Sequence, residues 1–280
     1  MPSPGLSLVG FMDDQAQAID HLRYYCVQTD NSDAALLAEW QDAKTKIGPA
    51  VAGAGHPDIR SLSAAELASL TVHPYLAGAL ANIPGSSFAS VEIDPLLAYQ
   101  FAIQLTRSGQ HCGHLGANPS FAEIAAFCLP SSPPVHDVYQ RIVQGQSAIL
   151  KSRSLNLRMA TQGIFTDANG PTAAGFLIQL ALPLAHVVRL NGKCYLHNGF
   201  HRAYGLRKAG VSHIPCIFRD VPNSDDAGIK PPGTFALSLL ESSNPPTLAH
   251  FTRGSARAVQ LRAQSRILHV AWADYVVFDE

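Results

Sequence analysis

Gly199, His201 and Arg202 stand together in the tetrapeptide Gly199-Phe200-His201-Arg202, and their residue types suit the capture of an anion. The arginine fork can hold two oxygens of one phosphate at once, and a histidine adds a donor whose charge follows pH. Asn198 precedes the glycine and adds an amide. If these residues open a helix, backbone N–H groups without intrahelical acceptors and the positive end of the helix dipole converge on one point. A structural reading competes with this one: Arg202 pairs with a carboxylate such as Asp220, and His201 is a solvated first-turn residue.

Phosphoryl transfer would need a carboxylate to hold magnesium or to accept a proton, because Arg202 supplies charge stabilisation alone. Glu92 and Asp94 are the catalytic candidates, since a strand through Val91 and Ile93 would carry them toward the edge that holds the tetrapeptide. Asp94, directly before Pro95, reads equally well as a helix cap. His111-Cys112-Gly113-His114 groups three metal-binding side chains. No second ligand pair stands at zinc-site spacing, so the run reads as a polar loop ending at Gly116-Ala117-Asn118-Pro119, and no metal is expected there. Nucleophile elbow, Walker A, dinucleotide fingerprint and paired-histidine zinc motifs are absent.

The flanks of the tetrapeptide predict the scaffold that holds it. His186 to Leu190 alternates as a strand, Asn191-Gly192 is a two-residue hairpin turn, and Cys194 to His197 returns. From Phe200 to Ala209 the spacing turns helical, with Ala203, Leu206 and Ala209 on one face and Gly210 as the closing glycine. Ile214 to Phe218 is the next strand.

Asn198-Gly199-Phe200-His201-Arg202-Ala203, followed by Leu206, Gly210 and Ile214-Pro215, resembles the core motif of the ParB/sulfiredoxin superfamily over about thirty-five residues. In that family the Gly-x-x-Arg turn starts a helix and binds nucleotide phosphates. The resemblance therefore implies a nucleotide-binding protein, with phosphates around Asn198, Gly199, His201 and Arg202. It implies CTP or ATP with Mg2+ as ligand, and NTPase or phosphotransfer activity as an extension. Phe200 stands where sulfiredoxin carries its reactive cysteine, so sulfinic acid reduction is not implied. ParB proteins continue into a helical DNA-binding domain. Here Asn223-Ser224-Asp225-Asp226 and Pro231-Pro232-Gly233 read as loop, with no helix-turn-helix pattern beyond. The alternative is a non-catalytic regulatory or protein-interaction module that keeps the fold.

Composition bounds these readings. The chain is 47% hydrophobic and 15% charged with a net charge of −1, a globular composition that argues against general nucleic-acid binding. Two local basic clusters remain, Lys151, Arg153 and Arg158, and Arg253, Arg257, Arg262 and Arg266; the second reads as a solvated helical face. Phe176 to Val188 is apolar but short and broken by Pro183, so it reads as buried sheet and no membrane span is expected. The N-terminus lacks a secretory pattern, and the cytoplasm is the expected location. The five cysteines, Cys26, Cys112, Cys128, Cys194 and Cys216, show no CxxC spacing and read as reduced thiols, with Cys194 and Cys216 as core residues.

The expected fold class is α+β, a small mixed sheet with flanking helices and a helical N-terminal extension. The boundaries are drawn as 1–87 for the helical region, 88–222 for the ParB/sulfiredoxin-like domain and 223–280 for a loop and strand-containing tail packed on it. Helices are expected over Asp14–Gln28, Ser32–Lys46, from the capping box Ser63-Ala64-Ala65-Glu66, and over Pro74–Ala81. A helix or irregular stretch starts at Ala148. Strands come next at Met159–Phe165 and Gly175–Leu182, joined by an Asp167-Ala168-Asn169-Gly170 turn. Arg266 to Phe278 adds a strand to the main sheet or to a second, small one.

Overall fold

A computed structural model describes residues 2–113, 115–116, 118–131, 140–152, 157–166, 172–180, 183–271 and 273. It has an α+β fold in two compact units, Met1–Ser131 with Pro183–Ala263, and Ser132–Leu182 with Gln264–Glu280. The first unit begins with β1 (Ser3–Ser7), α1 (Gln15–Asp20), a π-helical segment (His21–Tyr25), α2 (Asp33–Thr45), β2 (Ile59–Ser61), α3 (Ala64–Thr71) and α4 (Pro74–Ala81). It continues through β3 (Ser86–Glu92), β4 (Ala102–Gln104), α5 (Leu105–Cys112) and α6 (Phe121–Cys128). The second unit contributes β5 (Gln140–Gln144), β6 (Ser147–Ser152), β7 (Leu157–Thr166) and β8 (Thr172–Leu180). The chain re-enters the first unit with β9 (His186–Leu190), β10 (Lys193–Asn198), α7 (Phe200–Lys208) and β11 (His213–Asp220). Three short helices, α8 (Ser224–Ala227), α9 (Leu237–Leu240) and α10 (Leu248–Thr252), lead to β12 (Arg257–Leu261), and β13 (Arg266–Ala271) belongs to the second unit.

The main sheet is mixed, in the order β10-β9-β11-β3-β2. Asn191 and Gly192 both take positive φ, 51° and 77°, the geometry that lets a two-residue turn join β9 and β10 without splaying them. β11 runs parallel to β9, Ile217 opposite His186, so the chain must cross over between them, and α7 is that crossover. Val187, Val188, Cys194, Tyr195, Leu196, Ile214, Cys216 and Ile217 are all buried, as strands covered on both faces require. α7 turns Phe200, Ala203 and Leu206 into the same core and ends where Gly210, at φ 83°, lets Val211 N–H reach back to Leu206 O at 2.9 Å.

The N-terminal region is part of this unit and not a separate helical body, which moves the boundary drawn at residue 87. β1 is the middle strand of the sheet β12-β1-β4. Gly5 is required there, because a Cβ would lie 2.3 Å from Leu261 Cδ1 and 2.9 Å from Ile103 O. Trp40 of α2 donates from Nε1 to Met12 O at 3.1 Å. The helices expected at Ser32–Lys46, after Ser63 and over Pro74–Ala81 form, with the Ser63–Glu66 capping box complete.

Three expectations change in the rest of the chain. The stretch from Ala148 is a strand, half of the hairpin β5-β6, and β13 joins it to make a small sheet of its own. Residues 223–263 belong to the first unit, and only residues 264–280 go to the second. Arg253, Arg257, Arg262 and Arg266 are spread from the end of α10 through β12 to β13, so they share no helical face. β7 and β8 pair antiparallel as expected, while their turn, 167–170, and Arg153 lie outside the described residues. Among the described residues no helix is long and apolar enough to cross a membrane.

Candidate functional site

Gly199 holds φ at 109°, a left-handed value that a side chain rarely tolerates, and so turns β10 directly into α7. The first intrahelical bond is Ala203 N–H to Gly199 O, 2.8 Å. The N–H groups of Phe200, His201 and Arg202 therefore precede the ladder, and no side chain caps the helix. Asn198 fixes the approach to the turn, its Nδ2 donating to Leu184 O at 2.9 Å. Phe200 fills the core, edge-on to Tyr99 with ring centroids 5.7 Å apart.

Arg202 is only 6% exposed and folds back beneath its own turn: a Cβ placed on Gly199 would lie 3.5 Å from Arg202 Nη2. Its Nη1 donates to Cys128 O, the carbonyl at the end of α6, at 2.8 Å. Among the described residues no carboxylate lies within ion-pair distance of it. Asp220, the partner that the structural reading requires, is instead held bidentately by Arg189, at 2.6 and 2.9 Å. Burial pulls the Arg202 guanidinium below the usual arginine range. Among the described residues the result is a buried cation without a counter-ion at a helix start that no side chain caps, an arrangement an incoming anion would relieve.

His201 contributes differently from expectation. Its Nε2 accepts the N–H of Gln104 at 3.0 Å, so that nitrogen is unprotonated and serves to tie α7 to the start of α5. The chain matches no family model, no curated protein and no solved structure.

Glu92 and Asp94 do not reach the turn. Glu92 sits opposite His213, at the end of β11 remote from Ile217 and His186, and its Oε2 accepts the Asp58 N–H at 3.2 Å. Asp94 is clasped by Arg207 at 2.7 and 3.1 Å and by Arg253 at 3.0 Å. Arg207 lies in the last turn of α7 while Gly199 precedes the first, so the helix length separates Asp94 from the phosphate candidates. β3 and β10 run in the same direction, so their ends leave the same edge of the sheet as the sequence predicts, but β9 and β11 stand between them and the two carboxylates are taken up by other partners.

Sequence reasoning missed the groups that surround the turn. Tyr99 donates to His197 O at 2.8 Å, His197 Nδ1 lies 2.9 Å from Ala227 O, and the His186 and His197 rings meet at 4.9 Å. Burial drives His186 down to about 3 and lowers His197, so both rings are neutral at pH 7 and add no positive charge. Nothing in the one-dimensional pattern marks these residues, and the carbonyl of Cys128 has no side-chain signature at all. His111 and Cys112 end α5 and do not form the expected loop, and among the described residues no group of His, Cys, Asp or Glu could hold a metal.

Proposed function

We propose that the Asn198–Arg202 turn binds the phosphates of a nucleotide, CTP or ATP with Mg2+, as the resemblance to the ParB/sulfiredoxin superfamily implies. The observation that carries this reading is the buried charge of Arg202, with no carboxylate beside it among the described residues, under three backbone N–H groups that no side chain caps. Dipole, amides and guanidinium act on the same point, and each is worth more away from water. With Glu92 and Asp94 at the far end of α7, the reading favours a nucleotide that is bound as a switch over one that is hydrolysed or transferred.

A second reading has its own support. Gly199, Phe200 and Arg202 are all buried, and the arginine already has the Cys128 carbonyl as acceptor. On that reading the turn packs α6 against α7, and the fold serves a regulatory or protein-interaction role.

Calorimetric titration with ATP, CTP, GTP and ADP, with and without magnesium, separates the two. The nucleotide reading expects saturable binding that is lost in Arg202→Met, while the variant's thermal midpoint stays close to that of the parent because an uncompensated buried charge has been removed. The packing reading expects no binding by any nucleotide and a marked drop in the variant's midpoint.

A further inference from the structure

A cavity of about 560 Å³ opens in the first unit between α1, its π-helical continuation and the loop at Pro232-Gly233. Asp14, Asp20, His21, Tyr24, Tyr25 and Phe101 supply its chemistry. None of them belongs to the phosphate turn, and π-helical turns occur disproportionately at functional sites.

The walls are aromatic. Tyr24 and Tyr25 are 64% and 47% exposed, large exposure for adjacent rings that line a cavity. His21, 4% exposed, lies against Tyr25 in a stacked arrangement and meets Phe101 edge-on, both at 5.4 Å between centroids. Its Nε2 lies 2.9 Å from Ser7 Oγ, and its buried Nδ1 has no partner among the described residues. Burial holds His21 down to about 4, so its ring carries no positive charge at neutral pH and serves as the packing support behind Tyr25.

The charges are negative. Asp14 caps α1 through Oδ1, accepting from Ala16 and Gln17 N–H at 2.7 and 3.1 Å, and it has no ion pair among the described residues. Asp20 has Arg23 at 4.0 Å, but that arginine is held closer by Asp33. Aromatic faces beside carboxylates attract an organic cation through the ring quadrupole and through charge. A hard metal ion wants a shell of oxygens that these walls do not provide, and an anion would meet both aspartates.

We propose that this cavity binds a small alkylammonium ligand of the choline type, its methylated nitrogen against the exposed rings of Tyr24 and Tyr25 and its charge balanced by Asp14 and Asp20. The ring faces replace water around the poorly hydrated methyl groups. The carboxylates discriminate a cation from a neutral group of the same shape.

Saturation-transfer NMR on the trimethyl signal of choline, titrated against the full chain, tests this. Expected is saturable binding with Kd of about 1 mM or tighter. The neutral isostere 3,3-dimethyl-1-butanol is expected to bind at least about ten-fold more weakly. Tyr24→Leu, at an exposed position that leaves the core intact, is expected to weaken choline about five-fold or more, and Asp20→Asn to weaken it while making binding less sensitive to salt. Arg202→Met is expected to leave choline affinity unchanged, whatever it does to nucleotides. No saturation up to about 10 mM choline, equal affinity for the neutral isostere, or an unaltered Kd in Tyr24→Leu would each overturn the proposal.

Discussion

At the scale of the residue, Gly199 and Arg202 depend on each other. The backbone at Gly199 is left-handed, and the space a Cβ would occupy is bounded by Ala185 Cβ at 3.4 Å and by the arginine's Nη2 at 3.5 Å. Gly199→Ala is therefore expected to cost about 1–3 kcal/mol in urea unfolding, mainly through backbone strain. The added methyl meets the guanidinium at ordinary contact distance, but because the strain falls on the turn that sets the helix start, nucleotide affinity should fall with it; retained affinity in a destabilised variant would separate strain from binding. The glycine and the arginine are legible in the sequence because turn and charge chemistry belong to residue types. The acceptor on Cys128 is not, since every residue carries the same carbonyl and only tertiary structure selects one.

At the scale of the element, Asp94 is a fastener. It lies just beyond β3 and binds the last turn of α7 through Arg207 and the end of α10 through Arg253, so one carboxylate ties three elements. Asp94 is 15% exposed and Arg253 is 58% exposed, so most of the stabilisation lies in the Arg207 pair. Asp94→Asn is expected to lower stability by about 1–3 kcal/mol in thermal unfolding while leaving nucleotide affinity unchanged; loss of affinity without loss of stability would return Asp94 to the site. The hairpin, crossover helix and strand from His186 to Asp220 are readable because turn residues and periodicity are local. β1 is not, since Ser3–Ser7 is short, holds a proline and a glycine, and becomes a strand by pairing with two distant segments, Arg257–Leu261 and Ala102–Gln104. The Ala148 strand has the same cause: its partners are Gln140–Gln144 and the distant Arg266–Ala271.

At the scale of the whole molecule, buried neutral histidines set the response to acid. Burial lowers His21 from 6.5 to about 4 and, together with the neighbouring His197, lowers His186 from 6.5 to about 3. The unfolded chain takes up these protons near the ordinary value, whereas the folded chain resists until lower pH. Stability is therefore expected to fall as pH drops from about 6.5 toward 4, by up to about 1.4 kcal/mol per pH unit for each group. Thermal midpoints measured across that window check this, and His186→Phe, which keeps a ring against His197, should make the slope shallower; an identical slope would remove His186 as a cause. The second unit interrupts the first between Ser131 and Pro183, and near that gap Ala185 N–H donates to Cys128 O at 2.8 Å, the same oxygen that accepts Arg202 Nη1 at 2.8 Å. A carbonyl oxygen has two lone pairs. With one taken by the returning chain and the other by the arginine, that atom is saturated, and a water molecule or any further donor gains it only when one of its present occupants lets go.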